Sequence, residues 1–213
     1  MSDFLSKAGL ELLLKHEVGG GEAYYNAKLK HPTWPGGESG VTIGIGYDLG
    51  YTPRERFLAN WAAMDDDDRA RLVMVVGVKG LKARERVKAV ADILIPWELA
   101  YRVFCFSTLP YWVEQTRRAY PGVDALPGDA RSALVSIVFN RGPAMDGDRR
   151  REMRVLRDLV AEYAGRGVSE IDRRGLLRRM GMQVLGMRRL WYGKGLEGLV
   201  RRREDEAVLM RTC

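Results

Sequence analysis

Only two cysteines and two histidines occur among the 213 residues. One cysteine, Cys105, sits inside an apolar segment and the other, Cys213, is the last residue, so neither a disulfide framework nor a thiolate metal site is indicated. His16 and His31 lack the spacing and the companions of a metal site, and neither a metal nor a cofactor is expected. No apolar run approaches the roughly 18 to 20 residues needed to cross a bilayer. The opening MSDFLSKAGLELLLKHE sets charges among its leucines where a secretory signal requires a clean apolar stretch, which predicts synthesis in the cytoplasm without a signal peptide. Internal repeats and low-complexity segments are also lacking. With 46% hydrophobic and 30% charged residues, the composition is that of a globular chain with a real core, not a disordered or collagen-like one.

Charge is unevenly placed. Residues 1–100 carry 13 Lys/Arg against 14 Asp/Glu, net −1, and residues 101–213 carry 22 against 14, net +8. A basic half suits a polyanionic partner such as nucleic acid, anionic lipid or an acidic wall polymer. The alternative is that clusters such as Arg149–Arg151 and Arg201–Arg203 are solvated helix faces.

Patterning divides the chain. A helix is expected from near Ser2 or Ser6, its stripe of Leu10, Leu13 and Leu14 ending at Glu17, and Gly19–Gly21 stops it. From there to Gly50 the chain is rich in Gly, Pro and aromatics and includes the strand-like or hairpin-like SGVTIGIGYDLG. Helices follow: one opened by Thr52-Pro53 and running to about Ala63, one led by Asp65–Asp68, and one opened by Pro96 with Leu99, Val103 and Phe106 in its apolar pattern. Pro127-Gly128-Asp129 then leads into an apolar helix over Ala133–Phe139, fit for the centre of a bundle. Further helices are expected at about 148–164, 169–181 and 196–210. The fold class is α+β, mainly α: a small β-containing lobe over 18–51, a larger helical lobe from 1–17 and 52–213, and a cleft between them, in one domain.

Within the strand-like run, Thr42, Gly44, Gly46 and Asp48 are spaced by twos. In an extended chain they share one face, opposite Ile43, Ile45, Tyr47 and Leu49, and the two glycines make a low wall against which a polymer can lie. A turn at Gly44-Ile45-Gly46 is the other reading of the same residues. A carboxylate ending an apolar stripe, as Glu17 does, is poorly solvated and suited to general acid work. Glycosidic cleavage pairs such an acid with a second, ionised carboxylate, a role open to Asp48. Against this, Glu17 can form a salt bridge with His16 or an arginine, and Asp48 can be a turn residue before Gly50.

Two blocks, HEVGGGEAYYN at His16–Asn26 and SGVTIGIGYDLG at Ser39–Gly50, resemble the phage-type lysozymes, especially their pesticin-like branch. ALVSIVFNRG at Ala133–Gly142 and GLVRRREDEAVL at Gly198–Leu209 resemble that family's later helices, leaving about residues 52–126 poorly matched. The resemblance implies a lysozyme-like fold and a muramidase that cleaves the β-1,4 bond between N-acetylmuramic acid and N-acetylglucosamine in peptidoglycan. It implies Glu17 as general acid with Thr42 and Asp48 as the other catalytic positions. Thr42 would hold the attacking water, since a hydroxyl both donates and accepts. The commoner pattern has an aspartate before the threonine, whereas here the only acids between Glu17 and Thr42 are Glu22 and Glu38. Asp48 is therefore taken as the second carboxylate, with Glu38 as its rival and Glu22 as a surface residue. Inversion is the expected course, decided by the separation of the carboxyls.

Substrate contacts are expected from Glu38, Tyr25, Trp34, Gly44, Gly46, Tyr47, Asn140 and Arg141, with packing as the alternative for the aromatics and a helix C-cap for Asn140. The expected setting is the periplasm or wall of a lysed or target bacterium, reached as a phage endolysin or as an antibacterial effector toxin with an immunity or inhibitor protein as partner. A monomer without specific nucleic-acid binding is expected. The reading from another class is a non-catalytic cationic protein binding membranes or anionic polymers.

Overall fold

The computed structural model describes residues 4–19 and 21–211. The expectations touching Ser2, Gly20 and Cys213 lie outside the described residues. The chain is mainly helical (67% helix) with one two-stranded antiparallel sheet, and no helix among the described residues is long and apolar enough to cross a membrane. It divides into two compact units. One comprises the chain up to His16 together with Tyr111 onward, and the other is Glu17–Pro110. The β-containing unit is thus larger than the expected 18–51, because the helices up to Pro110 belong with the hairpin rather than with the helical lobe.

Several helix ends follow directly from local chemistry. Helix α1 (Lys7–Val18) begins where the Ser6 hydroxyl accepts the Gly9 N–H at 2.9 Å, and Leu10, Leu13 and Val18 are buried along it. The next element, α2 (Glu22–Lys28), is a short helix inside the stretch expected to be loop and strand. Helix α3 (Arg54–Asn60) has Pro53 at its N-cap, not Thr52. The Thr52 hydroxyl is committed elsewhere, donating to the Asp48 carbonyl at 2.7 Å. Asp65 caps α4 (Asp66–Val73) by accepting the N–H groups of Asp67 and Asp68. A further helix, α5 (Gly80–Arg86), falls where the sequence predicts none. Pro96 opens α6 (Trp97–Val103), which continues through a π turn at Phe104–Thr108 into α7 (Leu109–Ala119). The wider turn shifts the helical phase, and Phe106, expected in the apolar stripe, is 68% exposed.

The other unit is built around α8 (Gly128–Arg141), which is buried without interruption from Ser132 to Val138. Around it stand α9 (Arg151–Tyr163), α10 (Glu170–Gly186) and α11 (Glu197–Arg211); α11 packs on α8 and α10, and α10 on α9. Gly9 lets α1 reach α8, since a Cβ there would come within 2.0 Å of the Ser132 side chain.

At the α8–α11 contact lies a polar core. The Glu206 carboxylate accepts from the Ser136 hydroxyl at 2.6 Å, from Arg203 at 2.8 Å and from Arg202 at 3.3 Å, all fully or nearly fully buried. Removing one partner from such a pair strands the other charge in a medium that cannot solvate it. Glu206→Gln is expected to cost about 3–5 kcal/mol, lowering the melting temperature by about 10 °C at this chain length. Ser136→Ala, which removes only one neutral donor, is expected to cost about 1 kcal/mol. Thermal denaturation of both variants checks the ranking.

Candidate active site

The candidate site is assembled from the hairpin of the Glu17–Pro110 unit. Strands β1 (Thr42–Ile43) and β2 (Tyr47–Asp48) pair antiparallel with Thr42 opposite Asp48 and Ile43 opposite Tyr47. Gly44-Ile45-Gly46 is the turn between them, and both glycines take positive φ, 55° and 67°. The continuous-strand reading is therefore corrected in favour of the turn. Residues directly opposite in an antiparallel pair project to the same face, so Thr42 and Asp48 still share one, brought together by register rather than by spacing along one strand. The other face is core: Ile43, Ile45 and Tyr47 are buried.

Asp48 is held tightly. Its Oδ1 accepts the N–H groups of Gly40 at 3.0 Å and Gly50 at 2.8 Å, and its Oδ2 accepts from Gly40 at 3.2 Å. The bond from Gly50 also caps the 3₁₀ turn Leu49–Tyr51, as the turn-residue reading expected. Gly40 and Gly50 are glycines because their backbones meet here: a Cβ on Gly40 would lie 2.3 Å from the Gly50 nitrogen. Burial pushes the Asp48 carboxyl above the ordinary carboxylate value, opposed by the N–H bonds from Gly50 and Gly40 and by the charge of Lys79.

Thr42 is half-buried. Its backbone is fixed by a reciprocal pair with Thr33, at 2.7 and 3.0 Å, and among the described residues no hydrogen bond engages its hydroxyl. Glu17 is half-buried in the last turn of α1, beside the fully buried Val18. Its neighbour His16 pairs with Asp205 at 2.9 Å. Burial and Arg202 pull the His16 imidazole below its usual value while Asp205 pulls it up.

The remaining expected contacts divide. Glu38 is exposed, with its carbonyl accepting the Tyr51 hydroxyl, and Glu22 is exposed on the first turn of α2. Trp34 is half-buried, its indole donating to the Ser39 carbonyl at 3.0 Å. Gly46 is exposed. Three of the expected contacts are corrected. Tyr25 has no exposed surface, donates its hydroxyl to the Ile95 carbonyl at 3.0 Å and packs on Trp97. Tyr47 packs edge-on against Trp61 and accepts from Asn60. Gly44 is closed over by Trp61, so a Cβ there would come within 2.8 Å of the indole. Tyr47 and Gly44 are core because the hairpin must bury its apolar face, and Tyr25 because α2 buries its aromatic side against Trp97.

Asn140 and Arg141 belong to the helical unit. Asn140 accepts from Arg203 at 3.3 Å, and Arg141 lies over Trp191 and donates to Met187 Sδ and to the Arg149 carbonyl. Burial, with Arg150 and Arg203 close by, pulls the Arg141 guanidinium down to about 10. The helix ends at Gly142, whose N–H returns to the Val138 carbonyl, so the C-cap is this glycine rather than Asn140.

The sequence reading missed Lys79. Its backbone bridges Gly40, while Gly80 donates to the Ser39 carbonyl and Gly77 to the Leu49 carbonyl, each at 3.0 Å. The segment thus braces the Gly40–Gly50 junction from outside, and its signal was the pair of left-handed glycines around Val78-Lys79, with φ 76° and 62°. Among the described residues there is no cluster of three or more His, Cys, Asp or Glu able to hold a metal ion.

Comparison with protein-family models finds no match, and comparison with curated proteins finds none either.

The raised Asp48 carboxyl has a stability consequence. The folded state binds the proton more tightly than the unfolded chain, so this contribution is fully present below the unfolded value and is lost as pH rises through the folded one. Wild type is therefore expected to lose stability relative to Asp48→Asn as pH rises from about 4. Melting temperatures of both proteins across pH 3–8, a range set by the ordinary carboxylate value, read the difference; parallel curves contradict it.

Proposed function

We propose that this protein is a peptidoglycan hydrolase of the muramidase type with a lysozyme-like fold, using Glu17 as general acid, Asp48 as the ionised second carboxylate and Thr42 to hold the attacking water. The observation that carries the reading is the register that sets Thr42 opposite Asp48 on one face of the hairpin. The same three positions are those implied by the resemblance of His16–Asn26 and Ser39–Gly50 to the pesticin-like lysozymes.

The chemistry follows from what each group can do. Protonation of the glycosidic oxygen by Glu17 lets the leaving sugar depart neutral as positive charge develops on the ring. Asp48 Oδ2 accepts the longer bond from Gly40 and keeps acceptor capacity for a water proton. The Thr42 hydroxyl, on the same face and unengaged among the described residues, can accept from that water and donate in turn. Asp48 must be ionised to act, and the upward push of burial on its carboxyl moves the acid limb of activity toward higher pH. The role extends to lysis of a bacterial wall, as an endolysin or as an effector toxin, with an immunity protein as the partner in the second case.

The test is turbidity loss of purified Gram-negative peptidoglycan, with mass spectrometry of the soluble products. Wild type is expected to release fragments with new reducing-end N-acetylmuramic acid. Glu17→Gln is expected to slow release by about 10³-fold, the usual worth of a positioned acid. Equal clearing by both proteins would overturn Glu17 as the acid and favour a non-catalytic, charge-driven action.

A further inference from the structure

The part of the chain poorly matched to the lysozyme pattern, about residues 52–126, contains the densest positive charge in the hairpin unit. Residues 79–88 carry five Lys/Arg against one acid, Glu85, inside a half of the chain whose net charge is −1. Lys79, Lys82, Arg84 and Lys88 are exposed, and among the described residues their side chains have no ion pair or hydrogen bond. Arg86 donates to the Met74 carbonyl at 3.2 Å. In the helical unit, by contrast, Arg117, Arg118, Arg179, Arg188, Arg189 and Arg203 each meet a carboxylate.

Two of these cations stand over aromatic rings. The Lys79 ammonium is 4.4 Å from the centroid of Tyr51, a ring 60% exposed, and the Arg84 guanidinium is 5.9 Å from that of Trp34. Both rings come from the Trp34–Tyr51 stretch that holds Thr42 and Asp48, and the Gly40–Lys79 bridge ties the cationic segment to it. An aromatic beside an unpaired cation is suited to a saccharide that carries acid groups, because the ring takes the apolar C–H face of the sugar and the cation takes the carboxylate.

We propose that Lys79, Arg84 and Lys88, with Trp34 and Tyr51, form a recognition surface for the carboxylates of an acidic glycan polymer. The proposal rests on the hydrolase reading for its choice of polymer, peptidoglycan. The surface holds the strand beside the hairpin and adds affinity and register without taking part in bond cleavage.

The experiment measures binding to purified sacculi by co-sedimentation over a salt series, in the Glu17→Gln protein so that the wall is not consumed. Sacculi whose carboxyls have been converted to amides with carbodiimide are expected to bind about tenfold more weakly than native sacculi. The triple variant Lys79→Met, Arg84→Met, Lys88→Met, which keeps the backbone bridge between Lys79 and Gly40, is expected to lose about tenfold on native sacculi and to flatten the salt dependence. A control triple, Arg166→Met, Arg178→Met, Arg201→Met, removes equal charge from the helical unit and is expected to stay within about twofold. Thermal melts confirm that both triples are folded.

Equal binding to native and amidated sacculi, or equal loss in the two triples, overturns the proposal. So does binding of duplex DNA or anionic vesicles that matches sacculi and falls with the same substitutions, which would make the surface a general polyanion or lipid site. Failure of the hydrolase reading is separate: a Glu17-intact protein that binds sacculi through this surface but releases no fragments would lose the activity and keep the surface.

Discussion

The carboxylate of Asp48 joins two stretches of backbone that nothing larger than glycine would allow to meet. Gly40 and Gly50 approach until their main chains touch, and the N–H of each is turned to the same carboxylate. That contact holds the loop before β1 against the turn after β2, and the 77–80 segment is pinned across it through bonds to Ser39, Gly40 and Leu49. An acidic side chain kept half-buried by such a structure bears a desolvation cost, offset in part by the N–H groups and Lys79. The same carboxylate is thus both the hairpin's internal brace and an acid whose proton affinity burial raises. A polar group serving structure and chemistry at once is a common consequence of placing a site on so small a sheet, since a two-stranded hairpin has little other means of becoming rigid.

The helical unit uses a different device. Its central helix is so thoroughly buried that two serines and the guanidiniums arriving from α11 must find partners inside, and Glu206 supplies the compensating charge. Such a network contributes less to net stability than an apolar core of the same volume, but it tolerates few arrangements and so fixes how α11 lies against α8. The last helix, which the composition marks as a cationic face, is therefore in part an internal ion-pair network.

That changes the meaning of the charge distribution. Summed by halves, the chain has a neutral first part and a basic second part. Many of the second half's arginines are matched with carboxylates, whereas among the described residues the exposed cations at 79–88 form no ion pair. Net charge governs long-range encounter, but a surface that recognises an anion needs cations free of internal partners.

Helix starts were legible where a capping side chain or a proline lies next to the first turn, as with Ser6 and Asp65 and with the prolines at 53, 96 and 127. The mostly apolar run of α8 and the candidate carboxylates Glu17 and Asp48 could likewise be named from residue type and spacing, whereas the place of Thr42 came from the resemblance. These are local interactions, and local interactions leave a pattern in the chain. What tertiary structure decided was everything depending on a distant partner. Trp61 closes over Gly44, Ile95 receives the Tyr25 hydroxyl, and Lys79 reaches the hairpin from more than thirty residues away. Period and propensity do not encode those meetings, because which apolar ring becomes core and which carboxylate meets a cation depend on which elements come to share a volume.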